Sequence, residues 1–500
     1  MDFEGKKILV CGMARSGVAA AQCLYEQGAR VSISDSKTEE KLKDVLAPLD
    51  KLDIRRCLGD AAIPQDLKSY DLVVTSPGIP LTAPILKAAK EAGVPIIGEL
   101  EAGAQVSRAP LYAITGTNGK TTTTNLIREL LQGTLHTRVG LIGTNRYVVG
   151  QRELPADRTT PDCYELQHLL RQMADEGCTH VVMEASSHAL VQHRLEGLTF
   201  QAGVFTNLTQ DHLDYHRTME EYRMAKGLLF RQCRRGVLNL DDEAGRWYLQ
   251  HISCPAFTYS ERRDAAHLTA HDLRLCPEHV EFEAVTVDEI AHVCLPIPGG
   301  FSVYNALAAL SAGLCLGLKL KDMAPVLATV KGVKGRVEVV PVPAPYTVVI
   351  DYAHSPNALE NILTTARDFT RGRLICVFGC GGDRDRTKRP IMGGVAESMA
   401  DAAVVTSDNP RGEEPMAIIR EILSGMEGGP AHVEPDRKQA IAGALEHGQP
   451  GDVIVLCGKG HETYQELAGG RVHLDEREVI RDWFAAREME KKGLEIPPSA

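Results

Sequence analysis

The chain has 500 residues, which is too long for one ordinary domain and indicates roughly two to four. Hydrophobic residues make up 44% of it and charged residues 24%, which excludes a mainly disordered, collagen-like or coiled-coil protein. The 55 basic and 66 acidic side chains leave a formal net charge of −11. This charge disfavours general nucleic-acid binding, because that function needs a basic surface.

The thirteen cysteines are scattered along the chain and form no CxxC pair. The amino terminus carries no recognisable signal peptide, and no apolar run reaches the roughly 18 residues that a membrane-spanning helix needs. We therefore expect a soluble protein of the reducing cytosol, with no membrane insertion and no nucleic-acid partner.

Short β-branched segments alternate with longer helical patterns, which is typical of the α/β class with parallel sheets. In the first block the patterns predict a strand at 7–10, a glycine turn, a helix at 18–27 and a second strand at 30–35. A further strand at 71–75 ends in Ser76-Pro77-Gly78.

Two more blocks repeat this arrangement of strands and loops. The strand at 111–115 runs into a second glycine loop and opens the second block, which continues through strands at 180–184 and 201–207. A turn at 333–336 ends this block, and a strand at 346–351 begins the third. We therefore predict three domains, at residues 1–108, 109–337 and 338–500.

The first glycine loop, Gly12-Met13-Ala14-Arg15-Ser16-Gly17, follows a strand and opens a helix, as phosphate and dinucleotide sites do. Asp35 closes the next strand, about where an acidic residue would meet a ribose hydroxyl. In dinucleotide sites the middle glycine lets the backbone approach a pyrophosphate, and here Ala14 stands in its place. The loop therefore fits a nucleotide diphosphate as well as it fits NAD, and it is equally compatible with a plain tight turn.

The second glycine loop, Gly116-Thr117-Asn118-Gly119-Lys120-Thr121-Thr122, is more specific. Its glycines let backbone N–H groups curl around phosphates, Lys120 can neutralise the β- and γ-phosphates, and Thr121 can bind Mg²⁺. Ile114 stands where the usual P-loop has its first glycine, so the loop is a short relative of that motif. We predict an ATP site here.

Two candidate metal ligands follow strands of the same block. Glu184 ends a hydrophobic strand, and His212, beside Asp211, follows the strand that ends at Asn207. Ligands of α/β proteins collect at the carboxyl ends of strands. We therefore predict that Thr121, Glu184 and His212 bind Mg²⁺.

These residues resemble the Mur ligases, ATP-dependent amide-forming enzymes of peptidoglycan precursor synthesis. The resemblance covers roughly residues 110–480 and implies a three-domain fold, with a Rossmann-like amino-terminal domain, a central P-loop-type ATPase domain and a Rossmann-like carboxyl-terminal domain. It also implies a cytoplasmic role in cell-wall biogenesis, cell shape and cell division. It rests on residues 116–122, Glu184 to His188, Asn207, residues 211–214, Asn305, Arg336 and residues 351–356.

Further motifs resemble the Mur ligases that add the third residue to UDP-N-acetylmuramoyl-L-alanyl-D-glutamate. They are residues 159–162, Ser186 with Gln192 and Arg194, residues 408–411 and residues 458–462. The first block instead resembles the amino-terminal domain of the members that add D-glutamate, through residues 12–17, 35–37, 76–79 and 98–101. The resemblance implies that the UDP-substrate is bound by Gly12, Ser16, Asp35, Ser76, Gly78, Thr159, Thr160, Ser186, Gln192 and Arg194.

The resemblance also implies the reaction. ATP phosphorylates the substrate carboxylate, the amine of an amino acid attacks the acyl phosphate, and phosphate leaves. Asn305 would contact adenine, and Arg336 and Asp351 would close over the nucleotide. Lys226 would be carbamylated by CO₂ and would bind a second Mg²⁺, which makes Lys120, Glu184, His212 and Lys226 the catalytic set. The residues alone indicate an ordinary helix-surface lysine at position 226.

By the same resemblance the incoming amino acid is meso-diaminopimelate. Arg411 can pair bidentately with the distal carboxylate, which L-lysine lacks, and it repels a bare ammonium group. Arg389 would assist in binding carboxylate, and Glu462 would pair with the distal ammonium. The set implied is Arg389, Asp408, Asn409, Arg411, Gly458 and Glu462; the alternative is that Arg411 merely caps the turn after Pro410.

Other functions compete with this one. The ligation could use L-lysine instead, or D-glutamate as the first block suggests, although residues 159–162 and 408–411 argue against D-glutamate. A nicotinamide-dependent oxidoreductase would leave the second glycine loop unexplained. A non-catalytic nucleotide-binding scaffold would not need Lys120, Glu184 and His212.

Overall fold

The computed structural model describes residues 3–76, 78–80, 82–99, 102, 109–428 and 432–491. Strands and helices alternate along these residues and build three main sheets, which confirms the α/β class. Pro77, residues 100–101, the boundary predicted at 108 and the tail after Lys491 lie outside the described residues. The domain boundaries at 108 and 337 stay predictions.

The amino-terminal sheet is parallel, with its strands in the order β3-β2-β1-β4-β5. Apolar residues of α1 and α2 pack on one face of it, and those of α3 pack on the other. Helix α1 begins three residues earlier than predicted, because Arg15, Ser16 and Gly17 of the glycine loop already form its first turn. The elements are β1 (Lys7–Cys11), α1 (Arg15–Glu26), β2 (Arg30–Asp35), α2 (Glu39–Leu46), β3 (Arg55–Leu58), β4 (Leu72–Thr75), α3 (Pro84–Glu91) and β5 (Ile96–Gly98).

The central sheet has eleven strands in the order β16-β15-β14-β13-β12-β11-β6-β10-β7-β8-β9. Its middle strands are parallel, whereas both edges are antiparallel ribbons. The strands are β6 (Leu111–Thr115), β7 (Arg138–Ile142), β8 (Arg146–Val149), β9 (Arg152–Pro155), β10 (Cys178–Glu184), β11 (Ala202–Phe205), β12 (Gly236–Asn239), β13 (Ala256–Ser260), β14 (Leu268–Leu275), β15 (Val280–Val285) and β16 (Ile290–Leu295).

Helices enclose the middle strands of this sheet from both faces. Helices α4 and α10 share one core with alternate residues of β6, and α5 packs against the opposite side of the same strand. A strand buried on both faces is mostly apolar, as β6 is up to its last residue, Thr115. The helices are α4 (Lys120–Leu135), α5 (Cys163–Asp175), α6 (Ser187–Val191), α7 (Leu213–His216), α8 (Met219–Gly227), α9 (Glu243–His251), α10 (Gly300–Leu314) and α11 (Leu320–Leu327).

The third sheet has the order β17-β18-β22-β19-β20-β21 and is parallel except for β17. Helices α12 to α14 cover one face, and α15 and α16 cover the other. The elements are β17 (Glu338–Val340), β18 (Thr347–Asp351), α12 (Pro356–Phe369), β19 (Leu374–Phe378), α13 (Lys388–Met399), β20 (Ala402–Val405), α14 (Pro415–Leu423), β21 (His432–Val433), α15 (Arg437–His447), β22 (Val453–Cys457), the hairpin β23 (Tyr464–Leu467) and β24 (Gly470–His473), and α16 (Glu476–Lys491).

Several predicted site residues of the second and third blocks lie at or after the carboxyl ends of parallel strands. The second glycine loop follows β6, Glu184 ends β10, and Asp408 and Gly458 follow β20 and β22. Loops at this edge of a parallel sheet are where α/β proteins bind ligands. Across the described residues, no helix combines the length and apolarity that a membrane crossing requires.

Candidate active site

The second glycine loop is held tightly against the end of β11. A Cβ atom on Gly116 would lie 1.9 Å from the Thr206 hydroxyl, so no side chain fits there. Gly119 has a φ of 78°, a left-handed conformation that glycine adopts without strain, and helix α4 begins at the next residue. The carbonyl and side-chain oxygens of Asn207 accept hydrogen bonds from the N–H groups of Thr117 and Asn118 at 2.9 and 2.8 Å. The loop is therefore pre-shaped by the protein itself.

Lys120 lies inside this loop. Its amine donates to the carbonyl oxygens of Gly116 and Thr117 at 3.0 and 2.7 Å. Loss of contact with water lowers the pKa of Lys120. A cation placed among loop carbonyls is positioned to neutralise a phosphate that the loop encloses.

Thr121 and Glu184 meet, as predicted. The buried carboxylate of Glu184 accepts a hydrogen bond from the Thr121 hydroxyl at 3.2 Å and another from the Thr144 N–H at 2.8 Å. The Thr144 hydroxyl also donates to both Glu184 oxygens, at 3.1 and 3.0 Å. These groups are oxygen donors, which suit Mg²⁺. Thr144 was not singled out from the sequence.

His212 lies close to Thr144, and its ring packs against those of His188 and Tyr222. Its backbone is left-handed, with a φ of 54°, and its Nε2 lies 3.6 Å from a carboxylate oxygen of Asp211. Its ring centroid is 5.0 Å from that of His188.

Lys226 is buried, so the interpretation as a helix-surface lysine is wrong. Only 1% of the residue is exposed, and its amine donates to the Gly116 carbonyl at 2.7 Å. The amine also lies 4.3 Å from the centre of the Tyr222 ring. Burial, and secondarily the charge of Lys120, hold the pKa of Lys226 well below its ordinary value.

A cavity of about 440 Å³ opens beside Glu184 and contains five of the residues predicted to bind the UDP-substrate. The Arg194 guanidinium spans two of them, donating to the Thr160 carbonyl at 2.9 Å and to the Gln192 side chain at 2.6 Å. Thr144 joins the cavity to Glu184, because its hydroxyl also lies 3.1 Å from that of Thr159. The lining comprises Thr144, Ala156, Asp157, Arg158, Thr159, Thr160, Ser186, His188, Gln192, Arg194 and His212.

Asn305 lies against the phosphate loop. Its side-chain oxygen accepts a hydrogen bond from the Thr123 hydroxyl at 3.1 Å, and a Cβ on Gly119 would lie 2.4 Å from that oxygen. The Asn305 amide nitrogen is buried and has no hydrogen-bond partner among the described residues. A buried unpaired donor usually has a ligand or water as its partner.

Arg336 and Asp351 lie between the second and third sheets. The Arg336 guanidinium is 5.2 Å from the centre of the Tyr352 ring, and its Nε is buried without a hydrogen-bond partner among the described residues. Asp351 accepts hydrogen bonds from the N–H groups of Val337 and Ala353, both at 2.8 Å. Burial raises the pKa of Asp351. Asp351 therefore holds the backbone at Val337, just before β17.

The third domain brings Asp408, Asn409 and Glu462 together around a buried lysine, Lys459. The Lys459 amine donates to the Asn409 side-chain oxygen at 2.7 Å and to Glu462 at 2.9 Å, and it lies 3.7 Å from Asp408. A Cβ on Gly458 would meet Asp408 at 3.0 Å. Lys459 belongs to a motif that the sequence indicated, but its central position was not predicted.

Arg411 projects from a left-handed backbone, with a φ of 51°. Its Nε donates to Glu466 at 2.9 Å, and its Nη1 donates to the Gly382 carbonyl at 2.9 Å. These contacts hold the guanidinium in one orientation, with about a fifth of the side chain (22%) exposed.

Arg389 is placed differently from what the resemblance implies. Its side chain is fully buried, and its guanidinium donates to Glu413 at 2.9 and 2.7 Å and to Glu421 at 2.8 Å. Glu413 and Glu421 therefore occupy the guanidinium N–H groups that a substrate carboxylate would need. Arg389 supports the loop that carries Arg411, and direct contact with substrate stays a prediction.

The first glycine loop is held by Asp35, whose carboxylate accepts hydrogen bonds from the N–H groups of Met13 and Lys37 at 2.7 and 2.9 Å. The Asp35 side chain is thus committed to the backbone around it. Ser16 and Ser76, both predicted site residues, lie with their hydroxyl oxygens 3.3 Å apart, whereas a Cβ on Gly78 would meet nothing within 4 Å.

Glu99, which the sequence did not single out by itself, points at the same loop. A Cβ on Gly17 would lie 3.1 Å from its carboxylate, and that oxygen is buried without a hydrogen-bond partner among the described residues. Burial raises the pKa of Glu99.

Comparison with known proteins identifies the family. Residues 6–98 match the MurD-like amino-terminal domain of Mur ligases, residues 114–313 the Mur ligase middle domain, and residues 335–460 the glutamate ligase domain of Mur ligases. The chain is 45% identical over 374 residues to the UDP-N-acetylmuramoyl-L-alanyl-D-glutamate–2,6-diaminopimelate ligase of Clostridium botulinum, covering 74% of this chain and 77% of that one. It is 44% identical over 397 residues to the enzyme of the same name from Geobacillus kaustophilus, covering 77% and 81%.

Solved structures agree. One titled as a UDP-N-acetylmuramoyl-L-alanyl-D-glutamate–2,6-diaminopimelate ligase is 30% identical, with a TM-score of 0.62 over 97% of this chain and 93% of that chain. The alanine ligase MurC of Thermotoga maritima, 20% identical with a TM-score of 0.54 over 97% and 100%, shares the fold. Fold and phosphate loop thus define an ATP-dependent ligase. The chain belongs to the Mur ligase family, which confirms the resemblance read from the sequence.

Proposed function

We propose that this chain joins meso-diaminopimelate to UDP-N-acetylmuramoyl-L-alanyl-D-glutamate at the expense of ATP. Two relatives at 44–45% identity carry the name of that reaction. The structural observation that supports it best is the cluster of Asp408, Asn409, Glu462 and Arg411, which places a guanidinium and two carboxylates in the loops after β20 and β22. Diaminopimelate presents both a carboxylate and an ammonium at its far end, so it needs both kinds of partner.

The residues around the second glycine loop fit ATP and Mg²⁺. Loop N–H groups and Lys120 would hold the phosphates, and the Thr121 hydroxyl and the Glu184 carboxylate would be oxygen ligands of the metal, with His212 beside them. When bound, Mg²⁺ supplies positive charge that neutralises the phosphates. The unpaired amide of Asn305 and the guanidinium of Arg336 are the donors left for the rest of the nucleotide.

The chain accelerates the reaction by positioning and by neutralising charge. The cavity beside Glu184 would hold the peptide end of the UDP-substrate, with Thr160, Ser186, Gln192 and Arg194 on its wall. There its carboxylate oxygen attacks the γ-phosphorus of ATP, the bond to ADP breaks, and an acyl phosphate forms. The amine of diaminopimelate then attacks the acyl carbon, and phosphate leaves. The first domain would hold the UDP end through Ser16 and Ser76.

Lys226 would carry a carbamate. Carbamylation needs a neutral amine, whose nitrogen forms a bond to the carbon of CO₂ and releases one proton. The depressed pKa of Lys226 favours the neutral amine, and its position at the Gly116 carbonyl would place the resulting anion next to the phosphate loop. The product is an oxygen donor of the kind that a second Mg²⁺ prefers.

Arg411 would select the amino acid. Glu466 fixes its orientation, and its planar fork can pair with the distal carboxylate of diaminopimelate. Glu462 would pair with the distal ammonium, and its hydrogen bond with Lys459 would weaken as it does so. We also propose a cytoplasmic location, since the thirteen cysteines are all free thiols in the structure.

An end-point assay tests this function. The purified chain is incubated with ATP, Mg²⁺ and the UDP-dipeptide, and meso-diaminopimelate, L-lysine and D-glutamate are offered separately while ADP and the UDP-tripeptide are quantified. We expect product with diaminopimelate in preference to the other two. Preferential use of L-lysine or D-glutamate would replace the proposed substrate, and ADP release without any UDP-peptide product would overturn the proposed ligation.

A further inference from the structure

The three antiparallel strands at one edge of the central sheet form a ribbon, β14–β16, with two different faces. Along β15, Val280, Phe282 and Ala284 point into the core and are fully buried. Glu281 and Glu283 alternate with them and lie on the outer face. Strands β13, β12 and β11 separate this ribbon from β6 and its phosphate loop.

Three metal-binding side chains converge on the outer face. The strand register sets Glu281 directly opposite Cys294, and His279 stands just before β15. The His279 Nε2 lies 3.3 Å from Oε1 of Glu281, and one ligand atom from each of the three residues lies within 4.8 Å of the other two. Within the described ranges, this is the one group of three or more His, Cys, Asp or Glu residues with that spacing.

A fourth side chain follows from the register. The β14–β15 turn pairs Cys276 with His279, since the Cys276 N–H donates to the His279 carbonyl at 2.9 Å. Arg274 stands opposite Glu281 in the ladder, and Cys276 is two residues further along. Side chains two residues apart share a face of a strand. Cys276 therefore belongs to the same face as Glu281 and Cys294.

We propose that His279, Glu281 and Cys294, completed by Cys276, bind one Zn²⁺ ion. Zinc takes four ligands of this kind in structural sites, whereas Mg²⁺ takes oxygen ligands. Ligand atoms around a tetrahedral zinc lie roughly 3.3–3.8 Å apart, so the bound ion would draw His279, Glu281 and Cys294 closer together and bring Cys276 to them. Both thiols would release their protons to solvent on binding.

The charges around the group are compatible with this ion. Arg274 lies 3.9 Å from Oε2 of Glu281, which leaves Oε1, the oxygen that faces His279, for the metal. The bound ion would tie the β14–β15 turn to β16. Its role is therefore to brace the edge of the central sheet, without taking part in the ligase reaction.

Co²⁺ is used as the probe, because a Co²⁺ ion bound by thiolates absorbs near-ultraviolet and visible light, whereas a Zn²⁺ ion at the same site has no such bands. The full chain, reduced and stripped of metal, is titrated with Co²⁺ in excess Mg²⁺. We expect one equivalent to give a thiolate-to-cobalt band with tetrahedral d–d bands, and one equivalent of Zn²⁺ to remove them. Cys294→Ser and His279→Asn should each weaken Co²⁺ binding by at least about tenfold. Loss of a residue that only supports a metal ligand already costs about that much affinity, and these two residues would bind the metal directly.

Cys254→Ser is the matched control, since Cys254 is also partly buried but lies outside the ribbon. It should keep the full band, and all three variants should keep ligase activity with Mg²⁺, which also shows that they fold. The proposal is overturned if wild type gives no thiolate band, if the band survives both Cys294→Ser and His279→Asn, or if Cys254→Ser alone removes it.

Discussion

The amines of Lys120 and Lys226 donate to the same acceptor, the carbonyl oxygen of Gly116, at 3.0 and 2.7 Å. Two ammonium groups at one carbonyl repel each other, and burial disfavours both charges. Burial lowers both pKa values, and the charge of Lys120 lowers that of Lys226 further. The arrangement disfavours charge on both lysines at once, and the pKa of Lys226 is held well below its ordinary value.

The lowered pKa of Lys226 makes stability depend on pH. Between its lowered folded-state pKa and its ordinary value of 10.5, the unfolded chain binds a proton that the folded chain has released. Stability conferred at this site therefore rises with pH through that window. In CO₂-free buffer we expect the melting temperature of wild type to rise with pH relative to that of Lys226→Met. The same difference in melting temperature at every pH would contradict a lowered pKa. Lys321 is exposed, so the difference between wild type and the control Lys321→Met should not change with pH.

Carbamylation of Lys226 predicts chemical rescue. Lys226→Ala should lose most ligase activity, because an oxygen ligand of the metal site is removed. Added acetate or formate should restore part of it by occupying the vacated space. Turnover is measured with and without the carboxylate, alongside Lys321→Ala, which should behave as wild type in both conditions. Near-normal turnover of Lys226→Ala would reject the carbamate.

Lys120 should be needed for chemistry but little for binding of the UDP-substrate. Lys120→Ala removes the charge inside the phosphate loop, and removal of one such stabilising group typically costs about 100-fold or more in rate. Turnover and the dissociation constant of the UDP-dipeptide are measured together. A variant that retains a tenth of wild-type turnover, or that loses UDP-dipeptide binding as well, would contradict the assignment.

Arg411 should decide the amino acid. Loss of a buried charge-assisted pair typically costs about 2–5 kcal/mol, so Arg411→Ala should lower kcat/KM for meso-diaminopimelate by roughly 100-fold with ATP binding little changed. Arg420, an exposed arginine on α14, provides the matched control, and Arg420→Ala should leave both unchanged. If wild type prefers L-lysine at equal concentration, this role of Arg411 is wrong.

The pair of Arg437 and Glu476 should be the most sensitive ion pair of the third domain. Both side chains are fully buried and lie 2.7 Å apart, and the Arg437 guanidinium also donates to the Ser407 and Cys457 carbonyls near the site. Arg437→Met leaves Glu476 buried and unpaired, which should cost about 3–5 kcal/mol. The double variant Arg437→Met/Glu476→Met should recover much of that loss.

The free energies of unfolding of these variants are measured by denaturant unfolding, followed by the fluorescence of Trp483. The chain has two tryptophans, so all variants are made in a Trp247→Phe background. Arg367→Met is the control, because its partner Asp401 is as exposed as Arg367 itself, and it should cost less than about 1 kcal/mol. A single variant as stable as this control would contradict the account of the buried pair.

The α/β class and the second glycine loop could be predicted from the sequence alone, as could the position of Glu184 at the end of a strand. Each depends on a local pattern: apolar strand residues, glycines at a turn, and a polar residue where a strand ends. The three family domains could also be recognised, because their motifs are short and keep their order along the chain.

The burial of Lys226 and Lys459 could not be predicted from the sequence and is visible only in the three-dimensional fold. Helix α8 has no apolar pattern that marks Lys226 as buried, and its partner, Gly116, is 110 residues away. Asp408 and Lys459 follow β20 and β22, which are not neighbours because β19 lies between them. Arg389 likewise meets its partners, Glu413 and Glu421, only through packing of separate helices and loops. Burial and charge pairing depend on what the fold brings alongside a residue, and spacing along the chain does not record that.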